Sequence, residues 1–131
     1  MSSLLEALKQ RRSIRKYQNK PVPKELVFKV LESAGFAPSA HNSQPWRFVV
    51  IEDSEVKTSL AEQMAQAWAA DMEKNGSKID EAKRIERRER FTKAPVLIIA
   101  CLAMDGMIAF TDEQRQLTEH DLAVESLAAA I

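Results

Sequence analysis

Residues 38–52, PSAHNSQPWRFVVIE, decide the fold, because a polar loop here passes directly into an apolar strand. Residues 46–52 are rich in aromatic and β-branched side chains and predict a buried β-strand. In the preceding loop Pro38 and Pro45 restrict the backbone, while Ser, Asn and Gln side chains both donate and accept hydrogen bonds. Binding groups concentrate on loops held by rigid strands, so we expect a ligand-binding loop, with an ordinary polar turn as the alternative.

The sequence on either side predicts further helices and a second strand. Helical spacing of apolar residues, or helical propensity, predicts helices over 3–11, 23–35, 54–74 and 79–91. We expect Ser2 or Ser3 to cap the first helix, and the Asn75-Gly76 pair to end the third in left-handed geometry. Residues 96–102 are continuous in Val, Leu and Ile, and therefore predict a strand covered on both faces.

The last part of the chain predicts a loop followed by a helix. Gly106 and Thr111-Asp112 indicate the loop, and Thr118 with Asp121 resembles a capping box that starts the helix. The predicted apolar stripe of this helix consists of Val124, Leu127, Ala128 and Ile131. Because the stripe continues to the last residue with no stop signal, we expect a helix that is cut short.

Composition argues against several functional classes. A length of 131 residues predicts one domain. Nineteen Lys and Arg balance nineteen Asp and Glu, and this zero net charge argues against non-specific nucleic-acid binding. No apolar run approaches the ~20 residues that cross a bilayer. The single cysteine, Cys101, predicts a buried thiol in a protein of the reducing cytoplasm. Two scattered histidines give no metal-ligand spacing, and no glycine-rich phosphate loop is present.

A basic segment lies near the beginning of the chain. Residues 9–20 contain six Lys and Arg and no acid. If the segment is extended, Arg11, Ser13 and Arg15 point to the same side and form a cradle for a phosphate or carboxylate. A solvated basic strand or a patch on a dimer surface is the alternative interpretation.

Three motifs in order resemble the FMN-dependent nitroreductase family. They are RRSIRKY at 11–17, APSAHNSQPWRFVVI at 37–51, and a charged helix that leads to APVLIIAC at 94–101. The resemblance implies an α+β fold in which a sheet is flanked by helices, and a homodimer with two flavins at its interface. It also implies that residues 1–131 form a single nitroreductase-like domain that stops inside the central dimer helix and lacks its C-terminal part.

The resemblance implies roles for particular residues and assigns none as catalytic or metal-binding. The residues expected to hold the FMN phosphate and ribityl chain are Arg11, Arg12, Ser13 and Arg15. Those expected near the isoalloxazine, contributed by the other subunit, are Pro38, Ser39, Ala40, Asn42 and Gln44. Arg90 matches a basic residue near the flavin, and Ala40 replaces a serine common in the family.

The implied reaction is ping-pong hydride transfer from NAD(P)H through the flavin to a nitroaromatic, a quinone or a similar small aromatic acceptor. A relative with different flavin chemistry, such as dehalogenation or flavin fragmentation, is one alternative. A non-catalytic dimeric binding module is another, and steep salt dependence of binding without a chromophore would favour it.

Overall fold

The computed structural model describes residues 3–105 and 107–131, whose contacts cluster into two compact units. Unit 1 is formed by residues 3–20 and 54–95, and unit 2 by residues 21–53 and 96–131. Ser2, the alternative cap of the first helix, and Gly106, predicted to lie in a loop, fall outside the described residues. The single domain expected from the length and the family resemblance stays a prediction.

Within the described residues, five α-helices, a 3₁₀ turn and a two-stranded sheet confirm the predicted α+β class. In chain order the elements are α1 (Leu4–Gln10), α2 (Lys24–Gly35), the 3₁₀ turn (Ala40–Asn42), β1 (Trp46–Ile51), α3 (Ser54–Lys74), α4 (Glu81–Thr92), β2 (Leu97–Leu102) and α5 (Glu113–Ala129). None of the helices in these described ranges is long and apolar enough to cross a membrane.

Unit 1 begins with a capped helix and continues into a helical hairpin. The Ser3 hydroxyl accepts a hydrogen bond from the Glu6 amide at 3.2 Å, and the Glu6 carboxylate accepts one from the Ser3 amide at 2.8 Å. This capping box starts α1. Between α3 and α4, Gly76 has a φ of 71°, which confirms the predicted left-handed end of α3.

The buried face of α3 differs from the expected one. The residues that recur at helical spacing in α3, and that are therefore predicted to form its core face, are Leu60, Met64, Ala67, Trp68 and Met72. The structure instead buries Lys57, Ala61 and Ala65 at four-residue steps and leaves Met64 exposed. The physical reason is that small side chains allow another backbone to approach closely, so the closest contact selects alanine rather than the largest apolar residue.

Charged side chains join α3 to α4. Arg88 Nη1 lies 3.3 Å from Glu62 Oε2, and Arg84 Nη1 lies 3.8 Å from Glu62 Oε1. The hydrogen bond from Arg88 is the main reason why the pKa of Glu62 is lowered. The Arg87 guanidinium lies 5.0 Å from the centroid of the Trp68 ring. The charged composition of α4 predicts that its arginines mostly form a solvated face, whereas Arg84, Arg87 and Arg88 contact α3.

Lys57 is a buried cation in unit 1. Its Nζ donates hydrogen bonds to the carbonyl oxygens of Ala94 at 2.8 Å and Pro95 at 3.1 Å. Buried charges are costly unless they are hydrogen-bonded. These two bonds fix the residues after α4 to the first turns of α3.

In unit 2, β1 and β2 form an antiparallel pair with Trp46 opposite Leu102 and Ile51 opposite Leu97. Both strands lie within one residue of the predicted bounds. The expectation that the second strand is covered on both faces is wrong, because Ile98 and Ile99 are exposed. An apolar run predicts full coverage for an inner strand of a parallel sheet, whereas these strands form an antiparallel pair. Cys101 is half-buried, not buried.

The predicted start of α5 is also wrong. The Asp112 side chain accepts a hydrogen bond from the Arg115 amide at 2.8 Å and caps the helix, so α5 begins before Thr118. Thr118 lies inside the helix, where its hydroxyl donates to the Gln114 carbonyl at 3.0 Å. Both positions carry residue types that cap helices, and the spacing of apolar residues favours the later one.

The buried face of α5 is polar and small. Glu119, Ala123 and Ser126 are buried, whereas Val124 and Ile131 of the predicted stripe are exposed. The buried face contacts the 3₁₀ turn of the same unit, because the Ala40 amide donates a hydrogen bond to Ser126 Oγ at 3.1 Å. This contact holds the loop that precedes β1.

Candidate functional site

Unit 1 contains a cleft between the basic segment and α4, which we call the basic cleft. Its volume is about 340 Å³. The residues that line it are Arg15, Lys16, Tyr17, Glu86, Glu89, Arg90 and Lys93. Arg15 and Arg90, which the sequence proposes separately as flavin contacts, thus line the same cleft.

The charges of the basic cleft are partly paired. Arg90 Nη2 lies 2.7 Å from Glu86 Oε1, and Lys93 Nζ lies 2.6 Å from Glu89 Oε2. The hydrogen bond from Arg90 lowers the pKa of Glu86, so that carboxyl stays ionised at neutral pH. Among the residues that the structure describes, Arg15 makes no ion pair. With four cations against two carboxylates, the cleft keeps a net positive charge that suits an oxyanion.

The remaining predicted phosphate contacts lie outside the lining of this cleft. Arg12 Nη1 donates to the carbonyl oxygens of Lys9 at 2.7 Å and Arg11 at 2.8 Å, so its guanidinium binds the end of α1. Arg11 and Ser13 are exposed, and the segment that contains them forms no strand. The predicted common side for Arg11, Ser13 and Arg15 therefore lacks the regular strand on which it depends.

Apart from Arg15 and Arg90, the residues that line the basic cleft are not among the predicted flavin contacts. Glu86 and Glu89 of α4 and Lys93, the residue that caps its C-terminus, follow one another at steps of three and four residues. That spacing was a usable signal. The basic segment lies far from α4 in the sequence, so no local pattern could join them.

In unit 2 the segment 38–45, which we call the amide loop, has an unusual backbone. His41, Asn42 and Gln44 have φ values of 53°, 52° and 47°, in the left-handed region that disfavours residues with a Cβ. Left-handed residues other than glycine persist where surrounding contacts fix them. Three backbone positions of the amide loop are thus held in a conformation that is costly for a free chain.

Hydrogen bonds within the amide loop account for this conformation. Ser39 accepts twice: its carbonyl oxygen from the Asn42 amide and its Oγ from the Gln44 amide, each at 3.0 Å. The Ser43 hydroxyl donates to the Ala40 carbonyl at 2.7 Å. These bonds close the loop on itself directly before β1.

The residues predicted to contact the flavin ring differ in exposure and in whether their polar groups are free to bind a ligand. Gln44 Nε2 donates to the Gly35 carbonyl at 3.3 Å, so this donor is used to hold the loop to the end of α2. The Asn42 side chain is exposed and makes no hydrogen bond within the described part of the chain. Pro38 is also exposed, while Ser39 and Ala40 are half-buried. Asn42 is therefore the amide best placed to bind a ligand.

A buried carboxylate lies beside the amide loop. Glu119 Oε2 is 3.6 Å from His41 Nε2, and the Glu119 side chain is only 7% exposed. Within the described residues this oxygen has no hydrogen-bond partner. From the sequence alone His41 is predicted to be an exposed loop histidine, because no local pattern identifies a partner for it on α5. In the described ranges no cluster of His, Cys, Asp or Glu could hold a metal ion.

The chain belongs to the nitroreductase family, because the model of the Nitroreductase family matches residues 8–131. The expected family is therefore confirmed. The match contains both the basic cleft residues and the amide loop.

The chain is similar to several individual relatives and solved structures. It is 48% identical over 59 residues to a protein of Methanothermobacter thermautotrophicus with the provisional name NADH dehydrogenase/NAD(P)H nitroreductase, covering 45% of this chain and 31% of the relative. It is 34% identical over 113 residues to iodotyrosine deiodinase 1 of Rattus norvegicus, covering 77% of this chain and 37% of the relative. A solved nitroreductase with bound FMN from Desulfitobacterium hafniense matches with a TM-score of 0.60 and 26% identity, covering 99% of this chain and 64% of that one.

The chain spans about a third of the length of these two curated relatives and 64% of the solved nitroreductase. The relatives' activities therefore belong to longer chains.

Proposed function

We propose that the protein binds FMN and acts as an NAD(P)H-dependent oxidoreductase of the nitroreductase type. The single observation that carries the proposal is the basic cleft, in which Arg15 and Arg90 share one positively charged space in a chain of this family. The solved nitroreductase with bound FMN supports the choice of cofactor.

The donor set of the basic cleft fits a phosphate group. A guanidinium binds a phosphate through two parallel hydrogen bonds, and Arg15 can do so without breaking an ion pair. Arg90 would add positive charge from α4. Arg11, Arg12 and Ser13 complete the proposed set for the phosphate and ribityl chain, with Arg12 acting through the end of α1 that it holds.

The amide loop fits the edge of a flat heterocycle. We assign Pro38, Ser39, Ala40, Asn42 and Gln44 to the isoalloxazine. An amide side chain donates and accepts together, which matches a ring edge that carries both kinds of group. Because the loop backbone is already closed by its own hydrogen bonds, binding costs little ordering entropy.

The chain's own residues bind and orient the cofactor in this proposal. When bound, FMN supplies the redox chemistry, accepting a hydride from NAD(P)H and passing it to a nitroaromatic, quinone or similar acceptor. No side chain is assigned as nucleophile or general base, because this chemistry requires none. A homodimer with the flavin at its interface and a cytoplasmic location belong to the same proposal.

Reductive deiodination is the second candidate. The similarity to iodotyrosine deiodinase 1 extends over 77% of this chain, against 45% for the nitroreductase-named relative. Both candidates use the same flavin site and differ in the acceptor. A panel that contains a nitroaromatic, a quinone and an iodotyrosine separates them.

The test is reconstitution with FMN, followed by anaerobic addition of NADH or NADPH. We expect the flavin absorbance to bleach with one of the two donors and to return when the preferred acceptor is added. Light scattering of the same sample reports whether two subunits assemble. A protein that takes up no FMN but binds acidic partners with steep salt dependence would instead be an interaction module.

A further inference from the structure

The structure assigns Glu119 a positioning role: through His41, its buried carboxylate holds the amide loop in the left-handed conformation that presents Asn42. The inference rests on the proposed function in one respect, the identity of the ligand that the loop binds. The positioning itself concerns contacts within unit 2 and can be measured without a flavin.

The Glu119 carboxylate is buried and isolated. Glu119 is among the few buried polar residues of the described chain, and its Oε2 has no hydrogen-bond partner there. A buried carboxylate is costly unless a donor or a cation faces it. The described ion-pair partner is His41, whose Nε2 lies 3.6 Å away. An imidazole with a proton on Nε2, whether neutral or cationic, directs an N–H group towards this oxygen, at a distance longer than that of a formed hydrogen bond.

His41 is itself one of the left-handed residues of the amide loop. His41 and Asn42 are consecutive left-handed residues, so the direction of the Asn42 side chain depends on the φ values of both. Such a pair persists where several contacts over-determine it, so a contact from outside the loop adds to the hydrogen bonds within it. His41 supplies one such contact because its imidazole faces α5.

Ser126 forms a second anchor for the loop on the same face of α5. Ser126 lies seven residues after Glu119, two helical turns further along, and its Oγ accepts a hydrogen bond from the Ala40 amide. Ser126 Oγ also donates to the Leu122 carbonyl at 2.6 Å, which fixes its orientation. Ala123, fully buried between the two anchors, lets the loop backbone approach. The 3₁₀ turn is thus held by Ser126 at its first residue and by Glu119 at its second.

The experiment is amide hydrogen exchange by NMR on the flavin-free full chain. The reporters are the amides of Asn42 and Gln44, whose acceptors belong to Ser39. We expect Glu119→Ala to accelerate their exchange about tenfold, while the β1 amides keep their protection. Glu119→Gln keeps an oxygen acceptor for the imidazole and should stay within about threefold of the wild type.

His41→Asn tests the same contact from the loop side. Asparagine tolerates left-handed backbone, so this variant removes the imidazole without changing the φ preference. We expect the same tenfold acceleration, and no further increase in the double variant with Glu119→Ala, because both changes break one contact. The matched control is His120→Ala on the same helix, where an exposed histidine lies 3.7 Å from Asp121. It should leave the loop amides unchanged.

Unchanged loop exchange in His41→Asn would overturn the inference, and this side chain is half-exposed, so the variant is expected to fold. An additive double variant, or loss of protection across β1 in Glu119→Ala, would also overturn it, because either result means a general structural role. An FMN titration of the same variants should show about tenfold weaker binding in His41→Asn. If the wild type binds no FMN, the proposed function fails while the exchange result still decides the positioning role.

Discussion

The basic cleft and the amide loop, the two proposed binding regions, are built in opposite ways. The cleft is built from long, partly exposed side chains on a helix and an irregular segment, and ion pairs adjust its charge. The loop is built from backbone, with three left-handed residues closed by hydrogen bonds and anchored to α5. The difference teaches that a charged group can be bound by adaptable cations, whereas a flat ring edge requires donors in fixed positions.

The two designs also differ in energetic cost. Exposed ion pairs contribute roughly 0–1 kcal/mol each, so the cleft can exchange partners at little cost. Each left-handed residue in the loop costs about 1–3 kcal/mol and is maintained by the surrounding contacts. Variants in the cleft should therefore change ligand affinity with little effect on stability, and variants that remove a loop anchor should change stability.

The largest expected effect is on the cleft. Arg15→Ala should weaken FMN binding roughly 10- to 100-fold, because a hydrogen bond to a charged group contributes about 1.5–3 kcal/mol. Fluorescence titration with FMN measures it. Arg12→Ala is the matched control, since that guanidinium is used by the end of α1, and it should weaken binding less than about threefold. Equal losses of FMN affinity in the two variants would contradict the assignment of Arg15 to the ligand and of Arg12 to the end of α1.

Asn42→Gly tests the loop as a ring contact. Glycine adopts the left-handed region readily, so the backbone stays in place while the amide is lost. We expect about tenfold weaker FMN binding, with the free energy of unfolding within about 0.5 kcal/mol of the wild type. Unchanged FMN affinity in a folded variant would contradict the assignment of Asn42 to the ring.

Gln44→Ala tests the loop as a structural anchor. The variant removes the hydrogen bond from Gln44 Nε2 to the Gly35 carbonyl, and we expect a loss of about 1 kcal/mol in the free energy of unfolding. Urea denaturation measures the change. A fall in stability as small as that of Asn42→Gly would show that this bond contributes nothing.

The smallest expected effect is Glu86→Gln, which releases Arg90 in the cleft. FMN affinity should rise roughly twofold, since exposed pairs are weak. Arg90 lowers the folded-state pKa of Glu86, so the pair stabilises the fold above the carboxyl's ordinary pKa of 4.5 and loses that contribution as the pH falls through the folded value. The wild type should therefore be slightly more stable than the variant at pH 7, with the difference vanishing in acid. A difference that grows in acid would contradict this sign.

The sequence predicted local elements well. Runs of β-branched residues identify β1 and β2 to within one residue, and the Asn75-Gly76 pair is a local signal for the end of α3. The start of α5 was missed, since Asp112 and Thr118 are both residue types that cap helices. Only the surrounding structure distinguishes them.

Long-range features of the candidate site could not be predicted from the sequence. The left-handed positions of the amide loop are not glycines, so the sequence gives no signal of their conformation. The contact between His41 and Glu119 joins residues far apart in the chain, and a buried acid on a helix has no local signature. Burial of alanine in preference to larger residues on α3 and α5 depends on what packs against them.

The burial of Lys57 means that its chemical modification can measure local opening of unit 1. Among the lysines that the structure describes, Lys57 is the one whose side chain is withdrawn from water, with its ammonium bound to two carbonyl oxygens. An amine-selective acylating reagent should consequently modify the surface lysines quickly. It should modify Lys57 only at the rate at which this part of the helical hairpin opens and exposes the ammonium group. Mass spectrometry of partially labelled protein would then give the rate of local opening, with no mutation and no ligand.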